Sequence, residues 1–455
     1  MFWSFFLLPL LAVAADIVPI VTKGNAFYKD GTDERFYIKG VAYQPGGASN
    51  LYDPLSDPDV CKRDIKYFKE LGVNTIRVYS IDNTGDHDEC MEALADAGIY
   101  LILDTNIPHA SIARDDGANC SYNTMYLNEV FATVKLMSKY DNTLGFFAAN
   151  EVINDKESTP AARQVKAVVR DIKTFQRANG LRTIPVGYSA ADVSENRFQS
   201  VEYFNCGDDE MARVDMFGYN DYSWCGSSSF TRSGYDKKVK EYSNYSVPLF
   251  LSEFGCNEVT PRKFTEVGAI FSDDMSPVFS GGIAYEYTEE ANEYGLVEIG
   301  GSDNQTVTKK DDFDYLKEEF SSATFPKGDG GAQTDLEHAS CPTLDSKWEA
   351  SNDIPDTPKG ALKYFHGAQP SGNGFDASTQ WACVDGDNDV DDSSDYSGAS
   401  GSYTPSARSS SSGSSNSNSN SNSGSSSSSR ENDGNNIGTI SGFASLSAFI
   451  FALIV

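Results

Sequence analysis

The chain has 455 residues, with 66 acidic and 36 basic side chains and a formal charge of −30. This charge excludes nucleic acid as a partner, because affinity for nucleic acid depends on basic groups that neutralise phosphates. It also disfavours docking on anionic lipid, and it suits a soluble protein with a neutral substrate such as a glycan. The length suffices for one large domain or two ordinary ones.

The first fifteen residues, MFWSFFLLPLLAVAA, are an apolar run that ends in small residues. The run is too short to span a bilayer, and Ala12-Val13-Ala14 fits the small-x-small rule for cleavage. This pattern predicts a signal peptide over residues 1–15, although no Lys or Arg precedes the apolar run. A buried N-terminal strand is the alternative.

Eight short apolar, β-branched runs alternate with helix-like stretches between residues 16 and 310. Each run is nearly continuously hydrophobic, as a parallel strand buried on both faces must be. Eight such units predict an α/β fold, a (β/α)8 TIM barrel over residues 16–310, with a doubly wound open sheet as the alternative. The runs cover residues 36–43, 74–80, 99–104, 144–151, 183–189, 215–220, 247–253 and 282–287.

Helix boundary signals lie between these runs. Asp57 is a helix N-cap candidate with Pro58 at the first helical position, and Gly72 can close the same helix. CMEALADAG (residues 90–98) repeats the pattern, with Gly98 as the closing residue. These signals support βα units.

The pattern loosens after the eighth run. Residues 311–383 are predicted to be an extension packed on the barrel, and residues 384–432 are rich in Asp, Ser, Asn and Gly. Such a composition cannot bury enough apolar surface to fold, so the second segment is predicted to be a flexible stalk.

The C-terminal segment reads GFASLSAFIFALIV and follows a polar stretch with several small residues. This order is typical of a GPI-attachment signal, whose tail is removed. The 13 residues from Phe443 fall short of the roughly 20 that a spanning helix needs. Asn432 or Gly434 is the expected attachment residue, and cleavage after Asn432 leaves residues 433–455 as the propeptide.

The chain has eight cysteines, and an even number in a secreted protein indicates disulfides. N-x-S/T triplets at Asn119, Asn244 and Asn304 are possible glycan acceptors. The four histidines lack the spacing of a metal site, and neither a nucleophile elbow nor a Walker loop occurs. We therefore expect neither a metal nor a cofactor.

Two glutamates stand at the ends of predicted barrel strands. Glu151 ends LGFFAANE and Glu253 ends VPLFLSE. A TIM barrel has its active site at the C-terminal ends of its strands, and two carboxyl groups across one cleft are the equipment of a glycosidase. Glu151 is the predicted acid/base, Glu253 the nucleophile, and Asn150 a hydrogen-bond partner of the sugar 2-hydroxyl. A structural ion pair is the alternative for either glutamate alone.

Other strand ends supply polar and aromatic groups suited to sugar recognition. Core or rim positions are the alternative for each tyrosine, and a structural role is the alternative for His109. The candidate substrate contacts are Gln44, Tyr79, Asp104, Asn106, His109, Asp192, Arg197, Tyr219 and Tyr285.

Seven ordered blocks resemble the fungal Gas/Gel/Phr family, the β-1,3-glucanosyltransferases of glycoside hydrolase family 72. They are YIKGVAYQPGG, NTIRVYSID, LILDTNIPHASIAR, FFAANEVIND, FGYNDYSWCG, LFLSEFGCNE and IAYEYTEEANEYGLV. The resemblance covers about residues 20–383. It implies a secreted, GPI-anchored protein at the plasma membrane and cell wall that acts on β-1,3-glucan donor and acceptor chains. We expect a monomer.

The resemblance also implies roles for individual residues. Glu151 is the acid/base, Glu253 the nucleophile, and the loop from Asn106 to Arg114 a substrate contact. The implied disulfides are Cys61–Cys90, Cys206–Cys341 and Cys225–Cys256, which leaves Cys120 and Cys383. With so few cysteines after residue 300, the chain resembles the short subgroup that lacks the cysteine-rich carbohydrate-binding module.

The expected reaction is a retaining double displacement. The enzyme cleaves β-1,3-glucan internally and transfers the new reducing end to the non-reducing end of another chain. Glu253 should be ionised and should raise the pKa of Glu151, with the two carboxyl groups about 5–5.5 Å apart. A hydrolytic endo-β-1,3-glucanase and a non-catalytic glucan-binding wall protein are the alternatives.

Overall fold

The structure is a computed structural model that describes residues 17–380 apart from residues 49, 115, 116, 302 and 303. Several sequence predictions lie outside the described residues: the signal peptide (1–15), the stalk (384–432), the propeptide (433–455), Asn432 and Cys383.

Three short strands precede the barrel and form an antiparallel sheet. They are β1 (Ile20–Lys23), β2 (Ala26–Lys29) and β3 (Arg35–Phe36). Ile20, Phe27 and Phe36 are buried in one apolar cluster with residues at the N-terminal ends of the barrel strands, among them Tyr100 and Phe250. The small sheet therefore closes the N-terminal end of the barrel. The sequence analysis missed it because such short strands show little periodicity.

Eight parallel strands close into a barrel in the order expected of successive βα units, β4 to β11, with β11 pairing back to β4. The predicted TIM barrel is confirmed, and each strand lies at one of the eight predicted runs. Their bounds are β4 (Ile38–Ala42), β5 (Thr75–Val78), β6 (Tyr100–Asp104), β7 (Thr143–Asn150), β8 (Val186–Ala191), β9 (Met216–Asn220), β10 (Leu249–Phe254) and β11 (Phe279–Ala284).

The helices surround the barrel, and the predicted caps are present. The Asp57 side chain accepts from the backbone N–H groups of Asp59 and Val60, Pro58 begins α1, and Gly72 ends it in the left-handed conformation. The helices are α1 (Pro58–Leu71), α2 (Asp88–Asp96), α3 (Ala118–Ser121), α4 (Thr124–Met137), α5 (Ala162–Ala178), α6 (Arg197–Phe204), α7 (Tyr235–Glu241), α8 (Val267–Ile270) and α9 (Asp311–Ser322).

A hairpin and an extension follow the eighth barrel strand. The hairpin consists of β12 (Val297–Gly300) and β13 (Thr306–Lys309). Helix α9, at the start of the predicted extension (311–383), packs against α1 and α8 and buries Phe313 and Phe320. The later residues contact the outside of the barrel, where the Trp348 side chain is fully buried.

The three predicted disulfides are present. Cys61–Cys90 joins α1 to α2, Cys206–Cys341 joins the end of α6 to the extension, and Cys225–Cys256 joins the loops after β9 and β10. Within residues 17–380, no helix has both the length and the apolar character required to cross a membrane.

Candidate active site

Glu253 lies near the end of β10, with its side chain almost fully buried inside the barrel mouth at 5% exposure. Its carboxylate is held by three donors. The Tyr79 hydroxyl donates to Oε1 at 2.9 Å, the Tyr222 hydroxyl donates to Oε2 at 2.7 Å, and Arg77 Nη1 lies 3.2 Å from Oε1. Both oxygens are therefore fixed in direction.

Arg77, from β5, is fully buried in the barrel interior. Its guanidinium forms a bidentate ion pair with Asp104, with both N···O distances at 3.0 Å, and Nη2 donates to Asn150 Oδ1 at 3.0 Å. Burial disfavours the cation, but the charges of Asp104 and Glu253 more than offset this, so the pKa of Arg77 lies above its usual value. Arg77 is therefore a permanent positive charge that is paired with the carboxylates of Asp104 and Glu253.

Asn220, at the end of β9, connects the two halves of the site. The hydroxyls of Ser189 and Ser252 both donate to Asn220 Oδ1, at 3.1 and 2.9 Å, which fixes the orientation of the amide. Asn220 Nδ2 then donates to Glu151 Oε1 at 2.8 Å and to Asn150 Oδ1 at 3.1 Å. A buried amide thus orients both side chains of the Asn150-Glu151 pair.

The backbone at Glu151 leaves the strand conformation. Its φ angle is +49°, a region that non-glycine residues enter rarely and usually at functional sites. The Glu151 N–H donates to Ser189 O at 2.8 Å, and Arg114 Nη2 donates to Glu151 O at 3.2 Å. The apolar strand β7 therefore ends in a turned residue whose carboxyl group faces the mouth.

The electrostatics of Glu253 differ from the expectation. Burial raises the pKa of Glu253 to about 7, with Arg77 acting in the opposite direction and the Glu151 charge adding to the rise. We expected Glu253 to be the ionised member at mildly acidic pH. That expectation was wrong for the free protein, because Glu253 lies too deep in the barrel for its donors to cancel the cost of burial.

Aromatic rings surround the carboxylates. The Tyr285 ring contacts those of Tyr79, Tyr222 and Tyr294 edge to face, at centroid distances of 6.3, 6.3 and 5.4 Å. The Arg77 guanidinium lies 4.3 Å from the Tyr79 ring centroid. The predicted contacts Tyr79 and Tyr285 are therefore brought to the site together with Tyr222.

Three predicted substrate contacts are buried, and their polar atoms form hydrogen bonds or ion pairs with other groups of the protein. Both oxygens of Asp104 bind Arg77. Gln44 Oε1 accepts from the backbone N–H groups of Tyr79 and Ser80. Tyr219 donates its hydroxyl to Tyr242, in the layer between strands and helices. The structure does not support these three as substrate contacts, and it places Tyr219 on the outer side of β9 because strand side chains alternate.

The other predicted contacts are less buried as whole residues. Asp192 and Arg197 form an ion pair at 3.1 Å. Asn106 Oδ1 is buried and has no hydrogen-bond partner within the described residues. His109 is exposed, and its carbonyl accepts from the Thr379 N–H at 3.0 Å. A substrate-binding role for these four residues therefore stays a prediction.

The sequence analysis missed Arg77 and Tyr222. Arg77 lies within the apolar run NTIRVYS, where a cation must be buried and therefore paired. Tyr222 lies two residues beyond Asn220, on the same side of the chain, so strand alternation was a usable signal.

Other sequence predictions concern the surface and metals. Asn119, Asn244 and Asn304 are all exposed, so their glycosylation stays a prediction.

Among the described residues, Cys225, Cys256 and Glu258 have metal-like spacing, but the two sulfur atoms form a disulfide and are not free to bind an ion.

A family model described as glucanosyltransferase (glycoside hydrolase family 72) matches residues 10–324. The 1,3-beta-glucanosyltransferase PGA4 of Candida albicans is 57% identical over 404 residues, which cover 89% of this chain and 88% of the relative. The 1,3-beta-glucanosyltransferase GAS5 of Saccharomyces cerevisiae is 55% identical, over 80% of this chain and 75% of the relative.

Solved structures match the fold at comparable coverage. Saccharomyces cerevisiae Gas2p in complex with laminaritriose and laminaritetraose has a TM-score of 0.70 and 42% identity, over 75% of this chain and 78% of that chain. A mutant of Gas2p in complex with laminaritetraose and laminaripentaose has a TM-score of 0.68 and 44% identity, over 75% of each chain.

Proposed function

Because the chain belongs to the glucanosyltransferase family, glycoside hydrolase family 72, we propose that it is a β-1,3-glucanosyltransferase. It cleaves β-1,3-glucan internally and transfers the new reducing end to the non-reducing end of another glucan. The observation that carries this proposal is the site itself. Glu253, held by Arg77 and two tyrosine hydroxyls, shares the barrel mouth with Glu151, which Asn220 orients.

In the first step the Glu253 carboxylate attacks the anomeric carbon of the donor. A bond forms between Glu253 and that carbon, the glycosidic C–O bond breaks, and Glu151 gives its proton to the departing oxygen. This step uses the form in which Glu253 is ionised and Glu151 is protonated. The cation of Arg77 and the hydroxyls of Tyr79 and Tyr222 favour that charge on Glu253.

In the second step a hydroxyl of the acceptor glucan replaces Glu253. Its oxygen bonds to the anomeric carbon, its proton passes to Glu151, and Glu253 leaves as a carboxylate. Glu253 carries no charge while the ester exists. The second step restores the starting protonation, and the two inversions retain the anomeric configuration. We keep the expectation of a separation of about 5–5.5 Å between the carboxyl groups.

The remaining polar groups of the mouth are proposed substrate contacts. Asn150 is the proposed partner of the 2-hydroxyl, and the Asn106 amide oxygen, which has no hydrogen-bond partner within the described residues, is a second proposed contact. The tyrosine rings supply apolar faces for pyranose rings. Tyr79, Tyr285, Asn106, His109, Arg114, Asn150, Asp192 and Arg197 form this set.

The proposed location is extracellular. The apolar segment at residues 1–15 and the polar-then-apolar order at residues 433–455 support secretion and a GPI anchor on the outer leaflet of the plasma membrane. A phosphatidylinositol-specific phospholipase should release the protein from intact cells. A mature protein that still ends at Val455 would contradict the anchor.

Product analysis with a reduced laminari-oligosaccharide tests the proposed reaction. Transfer gives products longer than the starting chain, whereas a hydrolase gives only shorter ones and a binding protein gives none. The Glu253→Gln variant should give neither class of product. Shorter products alone from the wild-type protein would favour the endo-β-1,3-glucanase.

A further inference from the structure

Two residues where β9 ends, Asn220 and Tyr222, each hydrogen-bond to one of the two glutamates, and Asp221 lies between them. Asn220 donates to Glu151, and the Tyr222 hydroxyl donates to Glu253 at 2.7 Å. Asp221, between them, has a fully buried side chain and binds different partners. Because Asp221 is bonded in the chain to Asn220 and Tyr222, whatever fixes its side chain also restrains the placement of these two neighbours.

Lys238 of α7 is the cation that holds Asp221. Its side chain is 5% exposed, and its ammonium group binds Asp221 Oδ2 and, at 2.7 Å, Asp192 Oδ2. Asp221 Oδ1 accepts from the N–H and hydroxyl of Ser223, and the Asp221 N–H donates to Glu253 O at 2.9 Å. One ammonium group thus joins the segments that follow β8 and β9.

We propose that Lys238 is a positioning residue for catalysis, an inference that rests on the proposed function. Its ion pair with Asp221 holds the 220–222 segment so that Asn220 and Tyr222 reach the two glutamates together. Lys238 acts through Asp221 and does not itself enter the reaction.

The charges of the pair favour this role. Burial would raise the pKa of Asp221, but the Lys238 charge more than offsets it and the pKa of Asp221 lies below its usual value. Burial would lower the pKa of Lys238, but Asp221 and Asp192 hold that pKa above its usual value. The pair therefore stays ionised at neutral pH, and removal of only one partner would leave a buried charge that strongly destabilises the fold.

The other end of the same strand supplies a matched control. Lys173 pairs with Asp215 at 2.8 Å, directly before β9 begins, and it also donates to the carbonyls of Glu210 and Arg213. Both pairs join a helix lysine to an aspartate that flanks β9. Only the Lys238 pair lies next to residues that contact Glu151 and Glu253.

The experiment compares two charge-neutral double variants, Asp221→Asn with Lys238→Met and Asp215→Asn with Lys173→Met. Neutralising the aspartate together with its lysine avoids leaving Asp221 or Asp215 as a lone buried charge, and Asp192, the second partner of Lys238, keeps its ion pair with Arg197 at 3.1 Å. Far-UV circular dichroism checks folding. We expect the Lys238 double variant to lower kcat for consumption of laminari-oligosaccharide at least about tenfold with KM within about threefold, because a shift of about 1 Å at reacting groups costs up to about a hundredfold. The Lys173 double variant should stay within about twofold of wild type.

Combination with Tyr222→Phe separates positioning from general weakening of the fold. If Lys238 works through Tyr222, adding Tyr222→Phe to the Lys238 double variant should lower kcat far less than it does in wild type. Fully additive losses, equal losses in both double variants, or a rise in KM with kcat unchanged would each overturn the proposal. Since donor consumption is measured, a wild-type protein that only hydrolysed would refute the proposed transfer but leave this test valid.

Discussion

The two ends of the barrel are built on different principles. At the N-terminal end, Phe27 and Phe36 of the small antiparallel sheet pack against Phe250 and Tyr100 in an apolar cluster. At the C-terminal end, the interior holds Arg77 with two carboxylates bound to it. The same eight strands thus run from an apolar base to a charged mouth.

This difference separates stability from function. The apolar end gains free energy from area removed from water, whereas the mouth buries ionisable groups whose desolvation is costly even when they are paired. The raised pKa of Glu253 is a direct sign of that cost. Substitutions at the base should therefore weaken the fold, and some substitutions at the mouth should strengthen it while removing activity.

The largest effect is expected from Arg77→Met, which removes the cation shared by Asp104 and Glu253. At pH 7 the variant should lose about 3–5 kcal/mol of the free energy of unfolding, because buried carboxylates lose their partner, and it should have no measurable transfer activity. The loss of stability should shrink as the pH falls and the carboxylates are protonated. Urea denaturation at pH 7 and pH 4 measures both values, and an equal loss at the two pH values would contradict the explanation.

Phe27→Ala is the matching change at the apolar N-terminal end of the barrel. Deleting this fully buried ring, whose centroid lies 5.9 Å from that of Phe250, should cost about 3–4 kcal/mol through lost burial and a cavity. The kcat of transfer at 25 °C should stay within about twofold, since the ring lies at the opposite end of the barrel. A tenfold fall in kcat in the folded variant would show that the two ends are coupled.

Glu253→Gln should abolish activity and stabilise the protein above pH 7. Glu253 has a folded pKa of about 7 against an ordinary value of 4.5, so the folded state binds more protons than the unfolded state between these pH values. The stability of the wild-type protein therefore falls as pH rises across this window. The advantage of the variant should grow from near zero at pH 4 to at most about 3 kcal/mol at pH 8.

Denaturant titrations of both proteins at pH 4 and pH 8 measure this advantage. Glu258→Gln, an exposed position in the same loop region, is the control and should show no comparable difference. An advantage of Glu253→Gln that did not change with pH would show that the buried charge is not its source.

The smallest effect concerns a single donor. Tyr79→Phe removes a hydroxyl that lowers the pKa of Glu253, so the acid limb of the pH profile of kcat/KM should move to higher pH by a fraction of a unit. In the proposed mechanism ionised Glu253 is the reacting form, and kcat/KM reports the free enzyme. A limb that moved to lower pH would reverse the assigned role of this hydroxyl.

The barrel itself was predictable from sequence because its strands are buried on both faces and read as continuous apolar runs. The positions of Glu151 and Glu253 at the barrel mouth were predictable for the same reason, since a carboxyl group at the end of such a run is conspicuous. The helix caps at Asp57 and Gly72 followed from local backbone chemistry, and the structure has both.

It was harder to predict which side of a strand a residue faces and which residues it pairs with inside the barrel. Position at a strand end does not distinguish Tyr219, which faces the helices, from Asn220, which faces the mouth. Arg77 was hidden because its neighbours in sequence are apolar, and its ion-pair partners come from β6 and β10. Such pairings join residues distant in sequence, so they emerge only once the barrel has closed.

The central claim is that Glu253 is the nucleophile, and trapping of the covalent intermediate tests it most directly. The Glu151→Gln variant is mixed with a laminari-oligosaccharyl fluoride, whose leaving group needs no proton, and the digested protein is examined by mass spectrometry. We predict a glycosyl adduct on the peptide that contains Glu253, because the first step proceeds and the second lacks its base. An adduct on a different residue, or conversion of the fluoride to a product of inverted configuration with no adduct, would contradict the account.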